Sequence, residues 1–387
     1  MRIGLFSRHY HIKYRRGISV YTHELTKALA KIIHKHDVHI LDYFFRKAYF
    51  ENLPIIENKR FKNKVFFCPG RIFSYMNKSF SWPTPTTGMK RLGLVHSLHE
   101  YDIPHFKEKN IVLSVHGLGP VLFSEIYPKE YREKWIKDLE RGLKTAAKVI
   151  GVSKTVEDQL KKHYPEYEGK ITSTFLGVSG EYLKTADIEK EKRMIKKMGL
   201  KTPFLLYIGA ADPGKNLNAF LKGFSIYLHS NIPKPSYRIV FVGNKTWGGY
   251  EDFNQAIEKY NLQGRIDFTG YIDYATLPAL YRACKLFVFP SLFEGFGLPV
   301  LEAMASGAPC LISEKPALTE VGSNVAEYFD PNSPENIAEK LDMLLKDPEK
   351  LKKMKSDGKN YARKFTWEKT AKKTVRVYEE VLGEQLI

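Results

Sequence analysis

The stretch KLFVFPSLFEGFGLPVLEAMASG, residues 285–307, contains an apolar run, a glycine-rich loop and a second apolar segment. The first run, rich in aromatic residues, is typical of a short buried strand. Pro299 suits the first turn of a helix, and Gly307 suits the end of one. We therefore predict a strand, a loop and a helix, with Glu294 in the loop and Glu302 in the first turns of the helix.

The same order of strand and helix recurs along the whole chain. Short apolar runs of the first half lie at 2–7, 38–41, 111–115, 148–153 and 170–177, and a helical pattern spans 18–33. Runs of the second half lie at 204–209, 237–243, 265–270, 285–291 and 308–313. Alternating strands and helices predict parallel sheets covered on both faces.

The length of the chain predicts two domains. At 387 residues it exceeds what one hydrophobic core usually supports. The charged stretch 180–202 has no strand pattern and precedes a new strand, so we place the boundary there. The predicted fold is α/β, with two doubly wound Rossmann-like domains, 1–179 and 180–366, facing a cleft. Ligands of such folds bind beyond the carboxyl ends of the strands.

Composition gives expectations for membrane insertion, cellular location and the charge of binding partners. No apolar run approaches the roughly 18–20 residues of a membrane-spanning helix, and the first residues do not resemble a signal peptide, so we expect the folded chain to begin at Met1. Three widely spaced cysteines, Cys68, Cys284 and Cys310, predict free thiols and a cytoplasmic location. The net charge of +18 favours an anionic partner without identifying it.

Residues 46–91 interrupt the alternation with ten Lys or Arg, two Glu and interleaved aromatic residues. Such a mixture suits an anionic membrane surface, such as the inner face of the membrane, because the cations meet headgroups and the rings lie at the interface. An elaborated loop whose aromatic rings fill a local core explains it equally well. Binding to nucleic acid is not expected, since no RNA-binding or helix-turn-helix signature accompanies the charge.

The loop and helix of 285–307 also predict chemistry. Backbone N–H groups of Gly295, Phe296, Gly297 and Leu298 lie at the predicted helix N-terminus, which favours anions. The two glutamates would repel a phosphate but accept hydrogen bonds from sugar hydroxyls. A nucleoside diphosphate sugar has both kinds of group, and we expect such a ligand here.

Other residues follow predicted strands. Lys215 lies at a helix start after the strand 204–209, where a cation would meet a diphosphate or simply be exposed to solvent. Gly17 and His116 follow two strands of the first half; one could be a turn glycine and the other a structural histidine. The same first loop contains basic residues that could bind an anion: Arg8, Lys13, Arg15 and Arg16.

These residues resemble the retaining glycosyltransferases of family 4, which have the GT-B fold. The resemblance is carried by EGFGLPVLE (294–302), which fits the E-x7-E motif, and by YIGAADPGKN, RGISVYTHEL, SVHGLGPV and FTWEKTAKKTVRVYEEVL. It covers nearly the whole chain apart from 46–91. It implies an N-terminal acceptor-binding domain, a C-terminal donor-binding domain, and a C-terminal helix, 367–387, that packs back on the first domain.

The resemblance also implies roles for the site residues. Glu302 would bind the ribose hydroxyls, and Glu294, with the amides of 295–298, the transferred sugar. Lys215 would neutralise the leaving diphosphate, Gly17 would lie near the donor phosphates, and His116 would contact the donor sugar. No metal or other cofactor is expected, in agreement with the absence of a D-x-D motif. Many relatives carry an arginine at the position of Ala210, so Arg8, Arg15 or Arg16 is expected to compensate.

The predicted activity is therefore transfer of a hexose from a UDP-, GDP- or ADP-sugar to a saccharide or lipid-linked acceptor in cell-surface polysaccharide assembly. A sugar-nucleotide epimerase of the same fold and a non-catalytic sugar-nucleotide-binding protein are the alternatives. A dehydrogenase is disfavoured, because no G-x-G-x-x-G follows the first strand.

Overall fold

The computed structural model describes all residues except 11, 13–16, 45–50, 52, 55, 68–74, 77–91, 102–104, 106–109, 234 and 244–249. Contacts divide the chain into two compact units. The first consists of Met1–Gly177 and Thr366–Ile387, and the second of Val178–Phe365. The second unit is thus continuous in sequence, and the first is not.

The first unit is built on a parallel sheet. Its strands are β1 Arg2–Phe6, β2 Asp37–Phe44, β3 Phe61–Phe67, β4 Leu94–Ser97, β5 Ile111–Val115, β6 Lys148–Gly151 and β7 Ile171–Ser173. Its helices are α1 Ile18–Ile32, α2 Gly119–Leu122, α3 Lys129–Thr145, α4 Lys154–His163 and, after the second unit, α14 Trp367–Leu382. The strand order is β3-β2-β1-β4-β5-β6-β7, with all of these pairs parallel. The carboxyl ends of β1, β4 and β5 therefore meet at the middle of one sheet edge.

The centre of this sheet is buried on both faces. All residues of β4 and β5 are buried, which requires apolar side chains or fully hydrogen-bonded polar ones. Helix α14 completes the unit from the far end of the chain. Its residues Ala371, Val375 and Tyr378 are buried, and α14 packs against α1.

The second unit has a six-stranded parallel sheet. Its strands are β8 Phe204–Ile208, β9 Arg238–Val242, β10 Ile266–Gly270, β11 Leu286–Phe289, β12 Cys310–Ser313 and β13 Glu327–Phe329, in the order β10-β9-β8-β11-β12-β13. Its helices are α5 Gly180–Leu183, α6 Ile188–Lys197, α7 Leu217–Ser230, α8 Tyr250–Lys259, α9 Leu277–Ala283, α10 Leu298–Ser306, α11 Pro316–Gly322, α12 Pro334–Leu345 and α13 Pro348–Ala362. β8 and β11 are adjacent, so the loops that follow them are neighbours.

The predicted α/β class and the two parallel sheets are confirmed, as are the strand, loop and helix of 285–307. Three strands were not predicted. β4 has only four residues, including His96 and Ser97, and β13 has only three. β3 carries three consecutive exposed polar residues, Lys62, Asn63 and Lys64, at the edge of the sheet, where charged side chains discourage pairing with other chains.

The basic and aromatic segment 46–91 lies largely outside the described residues. Its described part includes β3, where Phe61 is buried while Lys62 and Lys64 are exposed. The membrane interpretation of the segment therefore stays a prediction. Within the described residues, no helix combines the length and apolar character needed to cross a bilayer.

Candidate functional site

The loop after β8 forms a tight turn that presents Lys215. The carboxylate of Asp212 accepts a hydrogen bond from the Gly214 N–H at 2.8 Å, and the Lys215 N–H donates to the Asp212 carbonyl oxygen, also at 2.8 Å. The Leu292 N–H, from the loop after β11, donates to the Gly214 carbonyl oxygen at 2.8 Å. This bond holds the two adjacent loops together and fixes the position of the lysine backbone.

Lys215 and Glu294 meet between these loops. The Lys215 Nζ lies 2.6 Å from Oε1 of Glu294, and the two side chains are 25% and 15% exposed. The ammonium also lies 5.8 Å from the ring centre of Phe289 at the end of β11. Partial burial strengthens this ion pair relative to a surface pair. The arrangement places one cation and one carboxylate, both accessible in part, at the carboxyl ends of the central strands.

Helix α10 begins directly after this pair. Gly297 precedes it with φ 96° and ψ 42°, and Pro299 lies in the first turn. A Cβ at position 297 would lie 2.8 Å from Cδ2 of Leu318, so both the backbone angle and the close packing require glycine. The first N–H groups of a helix have no acceptor within it and carry partial positive charge. The loop therefore directs a helix N-terminus toward the surroundings of Glu294.

Glu302 has a different environment from Glu294. It is 5% exposed, and its two oxygens accept hydrogen bonds from the hydroxyls of Tyr274 at 3.1 Å and Tyr281 at 3.4 Å. The ring of Tyr182 packs edge-on against Tyr274, with 5.4 Å between ring centres. Burial, and then the charge of Glu302, raise the pKa of Tyr281 well above its usual value. Glu294 thus forms an ion pair with a lysine, whereas Glu302 accepts hydrogen bonds from tyrosine hydroxyls.

His116 in the first unit lies at the end of β5. Its backbone N–H donates to Oε2 of Glu100 at 3.1 Å, and its ring Nε2 lies 2.9 Å from the Leu98 carbonyl oxygen. Because a carbonyl only accepts, Nε2 carries the proton, and Nδ1 of the neutral ring has the lone pair. Burial lowers the pKa of His116 to about 4, so the ring is neutral near pH 7.

A chain of buried polar groups runs behind His116. The ring of Tyr21 packs edge-on against the His116 ring, with 4.7 Å between ring centres. The Tyr21 hydroxyl lies 2.7 Å from Oγ of Ser114, which lies 2.8 Å from Nε2 of His96, and Nδ1 of His96 lies 2.6 Å from the Tyr378 hydroxyl of α14. Burial lowers the pKa of His96 to about 3. The C-terminal helix therefore contacts the group of polar side chains that reaches His116.

The structure brings together the predicted residues Lys215 and Glu294 within the second unit, beside the loop 295–298 and helix α10. Gly17 precedes α1 in the first unit, and the partly exposed Arg8 follows β1, where its backbone N–H donates to Nε2 of His99 at 3.3 Å. Lys13, Arg15 and Arg16 lie outside the described residues. The ligand-binding roles of all these residues remain predictions.

Sequence reasoning missed the tyrosines around Glu302 and the Glu100 carboxyl beside His116. The tyrosines precede Glu302 by 21 and 28 positions in the chain, a separation that gives no local pattern. Glu100 follows the unrecognised strand β4, and the stretch LVHSLHEY, 94–101, would have identified it if that strand had been predicted. Polar residues after a buried strand are the available signal.

Comparison with known families covers both units. The model described as "Glycosyltransferase Family 4" matches residues 15–179, and that described as "Glycosyl transferases group 1" matches 187–361. The chain is 26% identical over 381 residues to O-antigen chain mannosyltransferase B of Escherichia coli, covering 94% of this chain and 96% of that protein.

Solved structures share the fold over almost the whole chain. Sucrose-phosphate synthase from Thermosynechococcus elongatus superposes with a TM-score of 0.77 at 19% identity, covering 99% of both chains. Anabaena Alr3699/HepE in complex with UDP-glucose superposes with a TM-score of 0.72 at 15% identity, again covering 99% of both chains. At these identities the likeness concerns the fold alone.

Proposed function

The chain belongs to the family 4 glycosyltransferases with the GT-B fold, and from this premise we propose that it transfers a hexose from a nucleoside diphosphate sugar to a saccharide or lipid-linked acceptor. We propose further that the reaction retains the donor's anomeric configuration and needs no metal. The activity would serve cell-surface polysaccharide assembly at the cytoplasmic side of a membrane. The similarity to an O-antigen chain mannosyltransferase supports this setting and makes mannose the first sugar to test.

The pair formed by Lys215 and Glu294 is the observation that carries the proposal. A diphosphate needs a cation, and a sugar needs hydrogen-bond acceptors for its hydroxyls. The two side chains are 2.6 Å apart, and helix α10 begins four residues after Glu294. A bound donor would replace the ion pair between Lys215 and Glu294 with two new contacts. The phosphate would contact Lys215, and the sugar hydroxyls would donate hydrogen bonds to Glu294.

The proposed chemistry is stabilisation of the leaving group. As the bond between the anomeric carbon and the phosphate oxygen breaks, negative charge grows on the phosphate and positive charge on the sugar ring. The Lys215 ammonium and the N-terminus of α10 would stabilise the departing phosphate without a metal ion. The acceptor hydroxyl oxygen forms the new bond to the anomeric carbon, and its proton passes to the departing diphosphate, which takes the electron pair of the broken bond.

His116 would serve as a neutral hydrogen-bonding group. Since its Nε2 proton is donated to the Leu98 carbonyl oxygen, Nδ1 would accept a hydrogen bond from a hydroxyl of the donor sugar. A neutral ring adds no positive charge next to an oxocarbenium-like sugar. Its low pKa, a consequence of burial, keeps this state over the whole physiological range.

The test begins with calorimetric titration of UDP, GDP and ADP in EDTA. We expect one of the nucleotides to bind, and Lys215→Met to weaken that binding about 10- to 100-fold, since a charge-assisted hydrogen bond is worth about 1.5–3 kcal/mol. The matching mannose and glucose conjugates are then incubated with α-mannobiose. Mass spectrometry detects the new glycoside, and NMR gives its anomeric configuration.

Lys222→Met is the matched control. Lys222 lies in α7 of the same unit and pairs with Glu335 at 3.4 Å, but it is 45% exposed and lies outside the loop after β8. We expect it to bind nucleotide like the wild type. Failure to bind any nucleotide would refute the donor site, and binding without a new glycosidic bond would favour the epimerase or the non-catalytic alternative. Loss of activity in EDTA would refute the metal-independent part of the proposal.

A further inference from the structure

The first unit gathers polar side chains that the proposed donor site does not use. They follow three strands that are neighbours in the sheet, β1, β4 and β5. These side chains are His9 after β1 and His99, Glu100 and Tyr101 after β4, and Glu100 contacts the backbone of His116 after β5. Carboxyl ends of adjacent parallel strands are where ligands bind in doubly wound folds.

Glu100 is the most unusual member of this group. It is 4% exposed, and Oε2 accepts the His116 N–H at 3.1 Å. Its own backbone N–H supplies a second hydrogen bond. Among the described residues, no lysine or arginine forms an ion pair with it. A carboxylate has about four acceptor positions, so the two N–H groups leave room for a further hydrogen bond.

Folding alone does not explain a carboxyl at this place. Removing a charge from water without a cation opposes folding, and burial raises the pKa of Glu100 to about 8. A glutamine could accept the same two N–H groups without this penalty. Groups whose pKa is shifted in this way concentrate at functional sites, where they interact with a ligand.

The residues on either side of Glu100 in the chain, His99 and Tyr101, contact His9 in the loop after β1. The Tyr101 hydroxyl lies 2.8 Å from Nε2 of His9, and the rings of His9 and His99 pack edge-on with 5.2 Å between centres. His9 and Tyr101 are partly exposed, whereas His99 is buried. Rings beside a hydrogen-bonding carboxyl combine the apolar wall and the polar group of small-molecule sites.

We infer that Glu100, together with the neighbouring pair His9 and Tyr101, binds a hydroxyl group of the saccharide acceptor. The inference rests on the proposed function and adds the residues that would recognise the second substrate. Glu100 hydrogen-bonds the acceptor hydroxyl, while His9 and Tyr101 limit the position of the sugar ring. The backbone bond from His116 ties this carboxyl to the residue that we place beside the donor sugar.

The protonation state of Glu100 gives a second readout. Among the described residues, the titratable side chains on the segments next to it are His116 at the end of β5, Arg8 and His9 after β1, and His99 and Tyr101 on its own segment. Raising the pH through about 8 converts Glu100 from a neutral acid, which can donate to a hydroxyl oxygen, to a carboxylate, which can only accept. In the wild type, kcat/KM for the acceptor therefore changes as the pH passes through about 8. In Glu100→Gln this change in kcat/KM disappears.

The experiment measures transfer to α-mannobiose by Glu100→Gln in the full chain, between pH 6 and pH 9. We expect kcat/KM for α-mannobiose to fall about 10- to 100-fold, as when a charged or acidic hydrogen-bonding group is lost. Calorimetric binding of the donor nucleotide and hydrolysis of the donor by water should remain at wild-type values. Thermal unfolding verifies that the variant is folded.

Glu157→Gln is the matched control. Glu157 is also a buried carboxylate of the first unit, but it lies in α4, accepts from Ser173 at 2.6 Å and pairs with Lys161 at 2.9 Å. We expect it to lower stability and leave kcat/KM for α-mannobiose unchanged. Wild-type transfer by Glu100→Gln with the same pH profile would overturn the inference. So would a wild-type protein that binds the donor but neither binds nor glycosylates α-mannobiose. Failure of the wild type to bind any nucleotide would instead refute the proposed function.

Discussion

Substitution of Gly297 by alanine tests the turn that starts helix α10. The residue has φ 96°, a left-handed angle that costs a non-glycine residue about 1–2 kcal/mol. The added Cβ would lie 2.8 Å from Cδ2 of Leu318, which is fully buried and cannot move into solvent. Overpacking of this kind costs about 1–3 kcal/mol. Together these effects lower the free energy of unfolding of the second unit by about 2–5 kcal/mol.

The measurement is urea unfolding of Gly297→Ala and wild type, followed by far-UV circular dichroism. With a slope of about 2–3 kcal/mol per molar urea, the midpoint should fall by about 0.7–2.5 M. Gly180→Ala is the control, since a Cβ at Gly180 in α5 meets nothing within 4 Å. We expect its midpoint to match or slightly exceed that of the wild type.

A double variant separates the two causes. Leu318→Ala alone leaves a cavity and costs about 2–5 kcal/mol. If the methyl group added at position 297 meets Leu318, the double variant loses less stability than the sum of the single variants, while the backbone cost persists. Additive losses would refute the steric part of the reasoning. A Gly297→Ala midpoint equal to that of the wild type would refute the described turn as a whole.

Three further results are expected. The pKa of His116 is about 4 in the folded protein and 6.5 ordinarily, so the unfolded state binds more protons between these pH values. The free energy of unfolding therefore falls as the pH drops from 6.5 toward 4, by at most about 3 kcal/mol. In thermal unfolding measured across this pH range, His116→Gln should show a weaker pH dependence than the wild type. Gly177→Ala should lower the thermal midpoint strongly, because its Cβ would overlap the backbone nitrogen of Trp367, and an unchanged midpoint would contradict that contact. If 46–91 binds an anionic membrane, vesicles containing phosphatidylglycerol should carry the protein upward in flotation at physiological salt, and protein that stays in the aqueous layer would refute the membrane prediction.

The sequence predicted those parts of the fold that have a local pattern. The buried strands β8 and β11 appear as continuous apolar runs, β5 is apolar except for Ser114, and α1 shows helical spacing over nearly its observed length. β4 was not predicted because two of its four residues, His96 and Ser97, are polar. Hydrogen bonds allow these side chains to be buried, so the strand has no continuous apolar pattern. Missing this strand also concealed Glu100, since a residue can be assigned to a sheet edge only when its strand is known.

The candidate site was predictable to a similar degree. The glycine-rich loop, the helix after it and the position of Lys215 follow from short motifs. The contact between Lys215 and Glu294 joins residues 79 positions apart, and only the adjacency of β8 and β11 brings them together. The tyrosines around Glu302 likewise come from α9 and the loop before it. Such partners depend on strand order, which one sequence does not encode locally.

The position of helix α14 in the chain has a consequence for folding during synthesis on the ribosome. The second unit is an uninterrupted stretch, whereas the first needs the segment from Thr366 onward, including the buried side chains Ala371, Val375 and Tyr378. While the second unit is being synthesised, the nascent first unit exposes the apolar surface that α14 will cover, a state prone to aggregation. The part of the chain that is translated first is therefore the part that is completed last.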